Sequence, residues 1–153
     1  MKQWFIDLKA GISNLIYYFR VIWKQRDWDH AYMEELLLTK LERWYKRYSG
    51  SIQLPYEGTE KDLQAMRICI NILKRRRDSW YTDVWHSKYA YKEDYVFEPI
   101  LDKPGYCEMK SIGLTEEEKE KSAEWLHKCN KVEKRDWEIF CDILKKYGER
   151  WWD

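Results

Sequence analysis

Apolar residues recur every three or four positions in four segments of this chain, and that spacing constrains the fold more than any other feature. Residues with this spacing lie on one side of an α-helix. The sequence therefore predicts a mainly α protein. The four stripes, in chain order, are Phe5, Leu8, Ile12, Leu15, Phe19 and Ile22; Met33, Leu37, Leu41, Trp44 and Tyr48; Leu63, Met66, Ile70 and Leu73; and Leu126, Cys129, Trp137, Phe140, Leu144, Tyr147 and Trp151.

Capping residues mark where three of these helices begin. Asp27 or Asp29 can accept the free amide hydrogens at the start of the second helix. Thr59 and Thr115 are each followed three positions later by an acidic residue, which is the spacing of a capping box. We expect the third helix to continue through its basic run to about His86.

The stretch between residues 87 and 114 lacks the helical spacing. Its sequence Asp102–Gly105 is typical of a turn between two short strands, and Pro99 favours an edge position. We therefore predict one compact domain over residues 1–153. It is a bundle of four to five helices that bury most of the indoles, with a small β-hairpin insertion around residues 95–112.

The composition argues against several classes of protein. The net charge of +1, from 28 basic and 27 acidic residues, provides no overall field toward nucleic acid or membrane. The four cysteines form no CxxC pair, so we expect reduced thiols and a cytosolic protein. No secretory signal is expected, and the uncharged run Ala10–Phe19 is too short to cross a bilayer. The first helix has a weakly charged polar face, which disfavours a membrane-surface helix.

Three Arg-Asp pairs are each followed closely by a Trp. They lie at Arg26–Asp29, Arg77–Trp80 and Arg135–Glu138. In the first and third pairs Asp can cap a helix start and Trp can supply buried area. The third pair leaves two alternatives open, because the last helix either restarts at Asp136 or runs through. The second pair is expected inside a helix, with Arg77 near the apolar stripe and its stem covering it.

The basic run is also a candidate anion site. Arginine forks bind phosphate with two hydrogen bonds, and nearby aromatic rings can stack on a base. The alternative is a solvated, charged helix face. The candidate ligand-binding residues are Arg75, Arg76, Arg77, Trp80, Tyr81 and Trp85.

The aromatic surplus points to binding rather than to a larger core. Ten Trp and twelve Tyr exceed what a helical domain of this size buries, and Tyr, Trp and Arg are enriched at binding hot spots. Trp151 and Trp152 either dock on the core or meet a second subunit, so a homo-oligomer is one expectation. The candidate partner-binding residues are Tyr89, Tyr91, Tyr95, Trp151 and Trp152.

Catalytic and metal-binding patterns have little support. His127 and Cys129 are two residues apart, which points them about 200° apart on a helix, and no zinc spacing is present. The chain has no Gly-rich phosphate loop and no nucleophile elbow. We therefore predict no catalytic residue, no metal site and no cofactor, and we favour a protein that is not an enzyme.

Some motifs resemble a family of small uncharacterised proteins of tailed bacteriophages. The run Val21–His30 contains the pattern W-x-x-R-D-W-D, and Leu36-Leu37 and Lys40–Glu42 follow it. The middle segment Phe97–Ile100 is an aromatic-proline strand, and the chain ends in Trp151–Asp153, read W-W-D. The resemblance implies a phage accessory protein in the cytoplasm of the bacterial host. It implies no activity and no functional residue.

Three functions are compatible with these observations. The first is an anti-defence protein that binds a host component without chemistry, either masking a host immune protein or sequestering a nucleotide signal. The second is a nucleic-acid-binding accessory protein of phage replication or gene control, which the near-neutral charge disfavours. The third is a metal-dependent nucleotide hydrolase.

Overall fold

The protein is described here by a computed structural model that covers residues 2–24, 29–50, 59–88 and 94–152. Within these ranges the chain is mainly helical, with five helices and one two-stranded antiparallel sheet, as the sequence predicted. The elements are α1 (Lys2–Lys24), α2 (His30–Ser49), α3 (Thr59–Arg77), α4 (Trp80–Lys88), β1 (Asp94–Pro99), β2 (Cys107–Ile112) and α5 (Glu116–Trp152).

The chain divides into two compact units. The first comprises Met1–Asp78 and Glu138–Asp153, and the second comprises Ser79–Trp137. Helix α5 therefore contributes its first part to the second unit and its last part to the first.

The core of the first unit lies between α2 and α3. The predicted stripe of α3 is confirmed, because Met66, Ile70 and Leu73 are buried and face a helix that buries Leu38 and Leu41. Each such side chain contributes about 1.5–3 kcal/mol when it leaves water. The last part of α5 adds Phe140 and Trp151 to the buried set of this unit.

Helix α1 forms as predicted, but its apolar stripe faces solvent instead of a core. The six stripe residues are between 44% and 68% exposed. The opposite, polar face contacts α2, where the guanidinium of Arg43 donates to Asn14 Oδ1 at 2.7 Å and to Ser13 Oγ at 3.0 Å. The expectation that the helices bury most of the indoles holds in part, because Trp44, Trp85, Trp125 and Trp137 are half-buried. Trp4 and Trp23 on α1 are exposed, and Trp151 is the buried indole among the described tryptophans.

The helix ends agree with the predicted caps in two cases. Asp29 has extended backbone angles and its carboxylate accepts from the Ala31 amide at 3.1 Å, which caps α2. Asp27 lies outside the described residues. At α5 the capping box is reciprocal: Glu118 Oε2 accepts from the Thr115 amide at 2.9 Å, and Thr115 Oγ1 accepts from the Glu118 amide at 3.3 Å.

Two helix boundaries differ from the expectation. Helix α3 ends at Arg77 rather than near His86, and Ser79 adopts a left-handed conformation with φ of 55°. Asp and Ser favour such turns because their side chains compete with the helical backbone hydrogen bonds. The second Arg-Asp-Trp sequence thus spans a helix break and is not inside a helix.

Helix α5 is continuous over 37 residues. Of the two alternatives for the last helix, it runs through Asp136 and does not restart there. Asp136 is therefore a buried mid-helix residue and not a cap. The Tyr81 hydroxyl on α4 donates to Asp136 Oδ2 at 2.7 Å and gives that carboxylate a partner in the second unit.

The hairpin of the second unit is closed by a type II turn. The Tyr106 amide donates to the Lys103 carbonyl at 3.0 Å, so Pro104 and Gly105 are the two central residues of the turn. Gly105 has φ of 86°, which this turn requires and glycine adopts without strain. The Ile100 amide also donates to the Tyr106 carbonyl at 3.0 Å, which closes the ribbon.

Candidate functional site

The hairpin presents one apolar side to solvent. Its register pairs Tyr95 with Ser111, Phe97 with Met109, and Pro99 with Cys107, and alternate residues of a strand lie on the same side. Tyr95, Phe97 and Met109 are 42%, 65% and 58% exposed. We call Tyr95, Phe97, Pro99, Cys107 and Met109 the hairpin face.

The other side of the ribbon is charged. Lys110 lies across from Val96 and forms ion pairs with Glu98 and with Glu108. The hydrogen bond and charge of Glu98 raise the pKa of the Lys110 ammonium above its usual value. The charged groups on this side form ion pairs with one another. The hairpin therefore has one charged face and one apolar face, and both are exposed to solvent.

The strand pairing leaves backbone edges available. Among the described residues the sheet contains β1 and β2 alone, so each of them is an edge strand, the position at which an added strand can pair with a sheet. The turn adds Leu101 and Tyr106, both largely exposed. The hairpin therefore offers a partner apolar contacts and backbone hydrogen bonds at the same place.

The arginines of the basic run are engaged within the chain. Arg76 binds the Glu34 carboxylate with two hydrogen bonds, at 2.8 Å from Nε and 2.9 Å from Nη2. Arg77 binds Asp78 in the same way, at 2.7 Å and 3.1 Å. This pairing holds the pKa of the Asp78 carboxyl below its usual value. The half-buried arginine is Arg76, not Arg77 as predicted, and Arg75 lies on an exposed side of α3.

The aromatic residues predicted to stack on a base have structural contacts in the second unit. Tyr81 is only 4% exposed, so its ring is not accessible for stacking. The indole Nε1 of Trp85 donates to the carbonyl of Ser122 at 3.1 Å and lies 3.2 Å from its hydroxyl. Trp80 is exposed and packs edge-on against Tyr81, with ring centroids 5.2 Å apart.

The predicted partner-binding residues separate into three groups. Tyr95 belongs to the hairpin face, whereas Trp151 is 1% exposed and docks on the core, which was one of its two alternatives. Tyr89, Tyr91 and the side chain of Trp152 lie outside the described residues. Phe97 and Met109 were missed as site residues. The alternation over residues 95–97 indicated a strand, but a tight turn at Asp102–Gly105 would pair Phe97 with Lys110, one position away from the observed register.

The first unit contains a cleft of about 550 Å³ beside the polar face of α1. Its charged lining residues balance, with three cations and three carboxylates, so it does not select an anion. The charged residues that line it are Arg20, Lys24, Arg77, Glu35, Glu42 and Asp78.

Across the described residues, no three His, Cys, Asp or Glu side chains lie close enough together to hold a metal ion. No helix in those ranges has a stretch long and apolar enough to cross a bilayer. No protein-family model, curated protein or solved structure matches this chain.

Proposed function

We propose that this chain is a phage accessory protein that acts in the bacterial host by binding and masking a host protein, with an immune protein as the expected target, and that it does so without chemistry. The hairpin face is the observation that carries this proposal. It places an aromatic ring, a thioether and a phenol side by side in solvent, with Phe97 at its centre. Aromatic and methionine side chains are enriched in the cores of protein interfaces.

The ion pairs of the basic run favour a protein partner over a nucleotide. Phosphate binding by the guanidinium forks of Arg76 and Arg77 would require them to leave Glu34 and Asp78. Breaking a half-buried bidentate pair leaves a carboxylate without its cation, which costs free energy that the ligand must supply. Calorimetric titration with a panel of cyclic di- and trinucleotides is therefore expected to give no saturable heat. A saturable signal would replace masking with nucleotide sequestration.

The masking proposal is tested by affinity capture from cells of the bacterial host. The bait chains are the wild type, Phe97→Glu and the matched control Val96→Glu. Both substitutions introduce the same charge on the same exposed strand, but Val96 points to the charged side opposite Lys110. Losing a central aromatic anchor costs about 2 kcal/mol or more, so Phe97→Glu should weaken binding at least about tenfold.

The proposal predicts that the wild type and Val96→Glu both capture one particular host protein. Phe97→Glu should not capture it. The purified host protein must reproduce this order of affinities. Equal retention by all three baits, or equal loss from both variants, would remove the hairpin face as the binding surface.

A further inference from the structure

The exposed stripe of α1 has the spacing of a coiled-coil seam. Phe5, Ile12 and Phe19 are seven residues apart, and each is followed three residues later by another apolar residue: Leu8, Leu15 and Ile22. This alternation of three and four residues gives a period of 3.5, which keeps a seam against a partner helix over its whole length. The repeat covers almost all of α1.

The seam is exposed because α1 uses its other side to contact the first unit. Arg43 of α2 binds Ser13 and Asn14, and its guanidinium lies 4.9 Å from the Tyr17 ring centroid. Among the described residues of α1, the buried one is Val21. The polar side of the helix is therefore occupied within the chain, and the apolar side is not.

The exposed area is larger than a lone surface patch. Trp4, Ile16 and Trp23 flank the seam and are 61%, 74% and 78% exposed. With aromatic side chains of about 150–250 Å² each, the seam and its flanks present roughly 1,000 Å² of apolar surface. The largest patch on a typical monomer is about 300–600 Å², and each partner in a standard interface contributes about 800 Å².

A partner helix fits this surface better than a membrane does. Membrane-surface helices carry Lys and Arg on the face that meets water and headgroups. Here Arg20 and Lys24 line the cleft of the first unit, together with Glu35 and Glu42. Two basic side chains of α1 thus face this cleft, and a 3.5-residue period is the pattern of a helix that packs against another helix.

We propose that α1 is a homodimerisation helix, and that its seam packs against the same seam of a second copy of this chain. A two-fold axis makes such a contact self-complementary, since every apolar position of one helix meets an apolar position of the other. The area on each side is sufficient for a stable dimer. This proposal does not depend on the hairpin face binding a host protein.

Light scattering on the purified full-length chain, over a dilution series, tests the proposal with a matched pair of variants. Ile12→Lys places a charge in the seam, and Ile6→Lys places the same charge on α1 outside it; both positions are exposed in one chain, at 49% and 59%. The wild type and Ile6→Lys should have about twice the chain mass of 19.1 kDa. Ile12→Lys should raise the dimer dissociation constant more than about a hundredfold, because each copy would bury an unpaired charge.

Circular dichroism shows whether the Ile12→Lys variant is still folded. If Ile12→Lys loses its helical signal, dilution of the wild type alone must convert the double mass to the single mass. A wild type of 19.1 kDa at every concentration overturns the proposal, as does equal dissociation of both variants. Binding of a monomeric wild type to vesicles of phosphatidylcholine and phosphatidylglycerol also overturns it and assigns the seam to a membrane surface.

Discussion

At the scale of single residues, buried polar groups in both units are matched to partners far away in sequence. Tyr81 and Asp136 are 55 positions apart and share a buried hydrogen bond of 2.7 Å. Asp62 at the start of α3 is buried and lies 3.2 Å from the Arg150 guanidinium near the end of α5. Asp62 and Asp136 each looked like capping residues in the sequence. Their tertiary roles could not be predicted, since the partners are fixed only when the helices pack.

We expect Tyr81→Phe to lower the free energy of unfolding by about 1–3 kcal/mol. The substitution keeps the ring but removes the donor, and it leaves a buried carboxylate oxygen without that hydrogen bond. Denaturant unfolding followed by circular dichroism measures the change. Tyr106→Phe is the control, because its hydroxyl is on an exposed side chain and should matter by less than about 0.5 kcal/mol. Equal effects would show that the buried hydrogen bond adds no stability.

Cys69 should resist alkylation until the chain unfolds. Burial, with a smaller contribution from Cys141, raises the pKa of the Cys69 thiol from 9.0 to about 12, and the reactive species is the thiolate. Iodoacetamide labelling at mildly alkaline pH, read by peptide mass spectrometry, should modify exposed Cys107 well before Cys69. Comparable labelling rates in the folded chain would contradict the burial of Cys69.

The same thiol makes stability depend on alkaline pH. Between about 9 and about 12 the unfolded chain releases the Cys69 proton while the folded chain keeps it. The unfolded state therefore binds fewer protons in this window, and the free energy of unfolding falls as the pH rises. Cys69→Ala should flatten this part of the profile.

At the scale of elements, spacing predicted the existence of the helices better than their ends or their partners. The apolar stripes placed α1, α2, α3 and α5 correctly, and the turn sequence at Asp102–Gly105 placed the hairpin. Helical period alone does not say whether a stripe meets a core. The stripe of α1 points outward because Arg43 holds the opposite face, a contact about thirty residues away in sequence.

The break between α3 and α4 predicts the effect of Ser79→Gly. Ser79 has φ of 55°, and the left-handed conformation costs an L-residue about 1–2 kcal/mol that glycine avoids. After subtraction of the entropy cost of glycine, the free energy of unfolding should rise by about 0.5–1 kcal/mol. Thermal or denaturant unfolding measures this rise.

The control for the helix break is the same substitution inside α4. Ser87→Gly lies in a helical conformation and also removes a 3.1 Å hydrogen bond from Ser87 Oγ to the Val84 carbonyl. It should lower the free energy of unfolding by about 0.5–1 kcal/mol. Destabilisation by both variants would contradict the left-handed conformation at Ser79.

At the scale of the whole molecule, the aromatic surplus was visible in the sequence and favoured binding, and the near-neutral charge disfavoured nucleic acid and membrane as partners. Which aromatic side chains are exposed was not visible. Tyr81 and Trp151 are buried, whereas Phe97 is exposed because the hairpin register places it on the apolar side next to Met109. The site thus depends on a cross-strand pair twelve positions apart in the sequence, which composition cannot reveal.

The most direct test of binding through the hairpin face is site-specific photo-crosslinking in living host cells. A photoreactive phenylalanine analogue at position 97 should give one discrete adduct with a host protein. The analogue at position 96, on the charged side of the same strand, should give none. No adduct at position 97, or equal adducts at both positions, would contradict the proposal that this protein acts by masking a host protein with its hairpin.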